Sequence, residues 1–160
     1  MTFPETFFVA PDLTRTVSGW VIKPGDTGWD GARSPFNFRM DQHPAVAVHT
    51  AGPADIAAAV RYAVRQGVQV AAQSTGHGAG ASRCEAILLR TGRPPEGVLN
   101  AAGRRAAVGA GVRCRDLLAA ASPLGLGFSV GSADRVGVDD VPHTSFPYHV
   151  TAAGPEAVRA

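Results

Sequence analysis

Apolar positions along this chain fall in short blocks, separated by glycine, proline and polar punctuation. AVAVH at 45–49 is an apolar run of the length of a buried strand. Gly52 and Pro53 then open a helix. Proline is pre-set for the first helical position, and Asp55 in the first turn suits the helix dipole. Ile56, Val60, Ala63 and Val64 recur at three- and four-residue steps and predict one apolar face, which Gly67 is placed to end. VQVAA at 68–72 predicts the next strand, completing a strand–helix–strand unit of the kind that is usually parallel and right-handed. AILLR at 86–90 is another compact apolar run, and the two prolines of TGRPPEG (91–97) mark a subdomain boundary.

Beyond that boundary, 97–112 reads as two short strands joined at Ala102-Gly103 in a hairpin. RCRDLLAAAS (113–122) predicts a helix with Leu117, Leu118 and Ala121 on one face, stopping at Pro123, and GLGFSV (125–130) is a last strand candidate. The first 40 or so residues are mixed and turn-rich around 23–37, and no clear periodicity follows residue 130 until VTAAGPEAVRA. No repeat points to a solenoid.

A chain of 160 residues accommodates one domain or two small subdomains, and 45% hydrophobic with 18% charged residues is a globular composition. The net charge is +2, and Lys23 is the single lysine among 15 basic residues. The arginines are spread through the chain, which argues against nucleic-acid binding. No apolar run reaches spanning length, and the N-terminus MTFPETFFVAPDL lacks the basic start and long apolar middle of a secretory signal. The expectation is a cytoplasmic protein with no membrane partner. Cys84 and Cys114 form no metal-ligand spacing and read as reduced thiols. His43, His49, His143 and His149 have no i,i+4 partner and no nearby acidic pair, and read as ordinary loop or strand-end residues.

Candidate chemistry is concentrated in AQSTGHGAG, residues 72–80. The stretch from Gly76 to Ala81 fits G-x-G-x-x-A after a strand, with Glu96 at the distance of a ribose contact, so an NAD-binding Rossmann-type fold is one reading. It requires a helix over 82–90, where AILL reads more naturally as a strand. The other reading is a phosphate cradle without a helix. Backbone N–H groups from Ser74 to Ala79 would form an anion-binding concavity, with glycine permitting close approach. His77 would then face the ligand, and its neutral imidazole is a competent nucleophile toward an electrophilic carbon.

Further stretches extend the picture. WDGAR and FNFRMDQHPAVAV, then AGPADIAAAVRYAVRQGVQVAAQ, STGHGA, ILLRTGR and GRRAAVGAGVRCRDLLAAASPLGLGFSVGSADRVGV occur in that order. Together, over about residues 28–138, they resemble the FAD-linked oxidases of the berberine-bridge-enzyme-like group. That group carries the FAD-binding domain shared with vanillyl-alcohol oxidase and p-cresol methylhydroxylase (PCMH). The resemblance implies an α+β fold: an incomplete two-subdomain PCMH-type FAD-binding domain of small mixed sheets flanked by helices. Its parts would be a lead-in at 1–43, a first subdomain at 44–95 and a second, shortened one at 96–160. It further implies that Gln73, Ser74, Thr75, Gly76, His77, Gly78 and Ala79 wrap the FAD pyrophosphate. His77 would bond covalently to the 8α-methyl carbon of the isoalloxazine. A second cofactor loop would include Gly131, Ser132, Val136, Gly137 and Val138.

The pattern is broken in places. Many members carry a second flavin-linking cysteine where this chain has Ala133, which excludes a two-bond flavin there. Asp139 and Asp140 stand where the family runs into glycines, and two carboxylates near a pyrophosphate repel it unless they face solvent or a cation. The substrate domain that supplies the catalytic base in the family has no counterpart, and neither Tyr62 nor Tyr148 matches a catalytic position. The implied function is the FAD-binding portion of an oxidase that moves hydride from a small organic substrate to FAD and then to oxygen, inactive alone. The alternative is a non-catalytic remnant that binds FAD weakly or not at all and self-associates through exposed apolar surface.

Overall fold

The computed structural model describes residues 11–79, 85–92, 97–127 and 133–137. The chain divides into two compact units, Met1–Gln73 with Ala79–Thr91 and Ser74–Gly78 with Gly92–Ala160.

The first unit holds α1 (Pro11–Thr16), β1 (Trp20–Ile22), α2 (Trp29–Arg33), β2 (Val46–His49), α3 (Pro53–Gln66), β3 (Val70–Gln73) and β4 (Ile87–Arg90). Its four-stranded sheet has the order β1-β2-β4-β3. β4 runs parallel to both β2 and β3, and β1 is antiparallel on the edge of β2. The predicted strand–helix–strand unit is therefore parallel, with β4 inserted between its two strands, so that Ile87 lies opposite both Val46 and Val70. This central place explains why AILLR is apolar throughout: a strand covered on both faces shows no alternation. Val46, Val48, Ile87 and Leu89 join Leu13, Val17, Ala59, Tyr62 and Ala63 in one core. Ala47 and Leu88, which alternate to the other face, are fully buried too.

Strand β4 also overturns the Rossmann-type reading, which needs a helix over 82–90; Ile87–Arg90 is a sheet strand. The α+β expectation of small sheets flanked by helices holds. Three elements of the lead-in, α1, β1 and α2, carried too short a pattern to be predicted.

Helix α3 begins at Pro53 and ends at Gly67, whose left-handed φ of 67° delivers its N–H to Ala63 and Val64 carbonyls. Its inward face keeps Ile56 and Ala63 of the expected one and departs from it at the two valines. Asp55, Ala59, Tyr62 and Ala63 are buried, whereas Val64 is 76% exposed and Val60 41%. The register is set by Asp55, whose carboxylate accepts hydrogen bonds from the backbone of Ser18, Gly19 and Ala51. With Asp55 inward, Ala59, Tyr62 and Ala63 follow at helical spacing, and the stripe through Val60 and Val64 turns outward.

In the second unit, β5 (Gly97–Asn100) and β6 (Arg105–Val108) pair antiparallel as the expected hairpin. α4 (Cys114–Ala121) follows, burying Cys114, Leu117 and Ala121, with Leu118 only half-buried. Pro123 does not end the helical path. It enters a 3-10 turn, Ser122–Leu124, closed by Gly125 at φ 67°. Of the last strand candidate, Gly127 takes part in a β-bridge, and 128–130 lie outside the described residues.

Candidate functional site

The C-terminal end of β3 carries the candidate loop. Gln73 closes the strand opposite Arg90 and its carbonyl accepts the Thr91 N–H at 3.3 Å. Its side chain is fully buried. Gln73 Nε2 and Arg90 Nη1 each donate to the Ser34 carbonyl at 3.4 Å. That contact leaves Gln73 Oε1 buried with no hydrogen-bond partner among the described residues, and the buried Ser74 Oγ is in the same state. An orphaned buried polar group costs about 1–3 kcal/mol, so two in consecutive residues require a partner from elsewhere. The carboxyl ends of parallel strands are where ligands bind in open α/β sheets.

Gly76 adopts φ 77°, a left-handed conformation that glycine takes without strain. It turns the chain so that Thr75 and His77 meet: Thr75 Oγ1 lies 2.7 Å from His77 Nδ1. His77 and Gly78 form a turn and Ala79 is irregular, so no helix begins within the described part of the loop.

Within the second unit, the stretch 133–137 is held by the first turn of α4. No side chain caps that helix. Instead Cys114 N donates to the Val136 carbonyl at 2.9 Å and Arg115 N to the Asp134 carbonyl at 2.8 Å, and Arg113 bridges Gly137. These bonds satisfy donors that a helix start leaves open. They also aim the Gly137 N–H at Thr75 Oγ1, 3.1 Å away. Two loops read separately in the sequence, at 73–79 and at 131–138, thus meet through Thr75 and Gly137. Gly131, Ser132 and Val138 lie outside the described residues, as do Cys84, Glu96, Asp139, Asp140, His143, Tyr148 and His149.

The remaining polar residues do other work. The WDGAR stretch forms α2, and Arg33 pairs with Asp30 and Asp41 and donates to the Gln42 carbonyl at 2.8 Å. The Arg33 guanidinium holds the Asp41 carboxyl below its ordinary value. His43 does have an acidic neighbour, Asp41 Oδ2 at 2.9 Å, on an exposed surface that a sequence pattern of i,i+4 pairs does not detect. His49 stands at the end of β2, its pKa lowered by burial and then by Arg90. Cys114 is a free, buried thiol pushed up by burial. Tyr62 is buried in the core and cannot serve as an exposed base. Among the described residues, no group of three His, Cys, Asp or Glu could hold a metal, and no helix is long and apolar enough to cross a membrane.

The family model for the FAD binding domain matches residues 44–139. (R)-6-hydroxynicotine oxidase of Paenarthrobacter nicotinovorans is 31% identical over 124 residues, which is 76% of this chain and 27% of that protein. Among solved structures, 6-hydroxy-D-nicotine oxidase from Arthrobacter nicotinovorans superposes with a TM-score of 0.71 at 30% identity, over 81% of this chain and 28% of that one. The BBE-like 1 protein of Physcomitrella patens gives 0.66 at 25% identity, over 79% and 28%. The chain therefore spans little more than a quarter of these relatives.

Proposed function

The chain belongs to the FAD binding domain family, and on that premise we propose that it is the cofactor-holding portion of a flavin-dependent oxidase in which His77 carries the flavin covalently. The observation that carries the reading is the pair of buried atoms at the end of β3, Gln73 Oε1 and Ser74 Oγ, that have no hydrogen-bond partner among the described residues. One needs a donor and the other can donate to an anion; a dinucleotide with hydroxyl and phosphate groups supplies both.

Each residue then has a defined task. Ser74 donates to a phosphate oxygen, and Gln73 accepts from a hydroxyl. Backbone N–H groups of residues 75–79 line the phosphates, and Gly76 permits the close approach. Bound there, FAD supplies a two-electron acceptor for hydride and a route for those electrons to oxygen. His77 would be the nucleophile toward the 8α-methyl carbon, its imidazole giving up one hydrogen and the methyl group another, with dioxygen as the two-electron acceptor that is reduced to hydrogen peroxide. Donor substrates are small organic molecules with an oxidisable C–H bond.

An absorbance spectrum before and after acid precipitation tests the reading, with His77→Ala alongside. Yellow colour that stays with the precipitate and is lost in the variant is the expected result. Colour released by acid from both proteins overturns the covalent bond and keeps FAD binding. A protein that stays colourless after FAD is added marks a non-catalytic remnant, the reading that Asp139 and Asp140 favour.

A further inference from the structure

We infer that Arg33 is a positioning residue for the candidate cofactor site, holding the end of α2 so that the Ser34 carbonyl turns the Gln73 amide with its oxygen, and not its nitrogen, toward the cofactor. This inference rests on the reading of Gln73 as a cofactor contact, and it gives the WDGAR stretch a place in that reading. Arg33 is the last residue of α2. Its Nε pairs with Asp30 Oδ1 at 2.9 Å, an exposed pair within one helical turn that adds little. Its Nη1 reaches further, to Asp41 Oδ1 and to the Gln42 carbonyl at 2.8 Å. Gln42 is fully buried and lies just before β2. One guanidinium therefore fastens the last turn of α2 to the chain that enters the sheet. Its planar fork holds these acceptors in fixed directions; a lysine ammonium on a flexible stem does not.

Ser34 follows directly and is placed by that anchor. Its N–H donates to the Asp30 carbonyl at 3.1 Å, and its ψ of 130° sends the chain out of the helix. The Ser34 carbonyl then accepts Arg90 Nη1 and Gln73 Nε2, each at 3.4 Å. A carbonyl oxygen has two lone pairs, and these two donors take them. Arg90 and Gln73 stand in register on neighbouring parallel strands, so their side chains leave the same face of the sheet and meet the same acceptor. Turning the Gln73 amide over would set its oxygen against the Ser34 oxygen, acceptor against acceptor. Nε2 is therefore fixed on Ser34, and Oε1, which has no partner among the described residues, is the end presented to a ligand. The cofactor group that Gln73 meets is then a hydrogen-bond donor, a sugar or ribityl hydroxyl rather than a phosphate oxygen. With Arg33 removed, α2 loses its tie to Gln42, Ser34 shifts, and the amide loses the acceptor that orients it.

The test titrates FAD into the full chain without oxygen, so that binding stays reversible, and reads Kd from flavin fluorescence. Wild type, Arg33→Met, Gln73→Met and the double variant form a double-mutant cycle. Arg33→Met is expected to weaken FAD about ten-fold when Gln73 is present, the size of one lost hydrogen bond, and less than about two-fold when position 73 is methionine. Equal losses in both backgrounds overturn the inference, because a merely structural role of Arg33 does not depend on Gln73. If Arg33→Met does not fold, Arg33→Lys replaces it in the same cycle with the same expectation. A wild type that does not bind FAD ends the reading of Gln73 as a cofactor contact by itself. In that case, or if Gln73→Met does not fold, the Gln73 side-chain amide, assigned by triple-resonance NMR of the free protein, decides the rest. A shift of that signal in the Arg33 variant, with the backbone amides of β2 and β4 unmoved, supports the positioning of Gln73 by Arg33; an unmoved signal overturns it.

Discussion

Asp55 is 2% exposed, and its carboxylate accepts three backbone N–H groups, from Ser18 at 2.8 Å, Gly19 at 2.9 Å and Ala51 at 2.7 Å. Burial pushes this carboxyl up, and the three donors together outweigh it and hold it below the ordinary value. A folded pKa below the unfolded one gives stability that is fully present above about pH 4 and is lost as the pH falls through the folded value. Asp55→Ala strands the donors and is expected to cost about 3 kcal/mol; Asp55→Asn, which retains one accepting oxygen, costs about 1–2 kcal/mol. Urea unfolding from neutral to acid pH checks both, and the gap between wild type and Asp55→Asn should narrow below pH 4. His49 works in a higher window. Its imidazole pKa is lowered by burial and by Arg90 across the sheet. The folded state therefore favours the neutral ring. The stability this gives is complete above the unfolded value of about 6.5 and is lost as the pH falls from there through the lower folded value. In His49→Gln the slope of stability against pH should flatten between about pH 7 and pH 5.

At the scale of elements, β1 joins the sheet only because Gly19 precedes it. A Cβ on Gly19 would lie 1.8 Å from the His49 carbonyl oxygen, a backbone atom that cannot swing away. Gly19→Ala is expected to destabilise the chain by about 1–3 kcal/mol through displacement of β1 from β2, read by urea unfolding. Gly109, with nothing near its would-be Cβ, serves as the silent control. Neither glycine was marked by the sequence, because the crowding comes from a strand 30 residues away. What the sequence did reveal had strong local chemistry: Pro53 and Gly67 bounding α3, the unbroken apolar run of β4, and the Ala102-Gly103 turn between β5 and β6. The inward face of α3 was legible at Ile56 and Ala63 but misread at Val60 and Val64, because a buried carboxylate, not the valines, sets its register. The candidate site divides the same way. Glycines flanking a histidine made the loop legible, whereas the Thr75–Gly137 contact spans 62 residues and no local pattern announces it. The orphaned state of Gln73 Oε1 depends on Ser34, which also could not be read in advance.

For the molecule as a whole, the two buried atoms at the end of β3 that lack partners among the described residues make a statement about linkage. If Ser74 Oγ meets its partner in the proposed ligand, the folded chain is less stable than it could be until that ligand arrives. FAD, binding the folded state, adds about 2.7 kcal/mol at a hundredfold excess over its Kd, roughly 5–10 °C in Tm for a chain of this size. Ser74→Ala then acts with opposite signs in the two states. Without FAD it removes a buried polar group that has no partner and is neutral or stabilising by up to about 1 kcal/mol; with FAD it removes a bond to a charged oxygen and weakens binding by about 1.5–3 kcal/mol. Thermal unfolding of wild type and Ser74→Ala, each with and without FAD, measures both signs in one experiment. A Ser74→Ala protein destabilised without FAD would show that Ser74 has a structural partner and is not waiting for a ligand. The same samples decide whether holding the cofactor is sufficient for turnover. These 160 residues span only 27% of (R)-6-hydroxynicotine oxidase, so the chain alone should bind FAD, gain thermal stability and still show no substrate-dependent oxygen uptake. Uptake by the isolated chain would place substrate-binding groups within these residues.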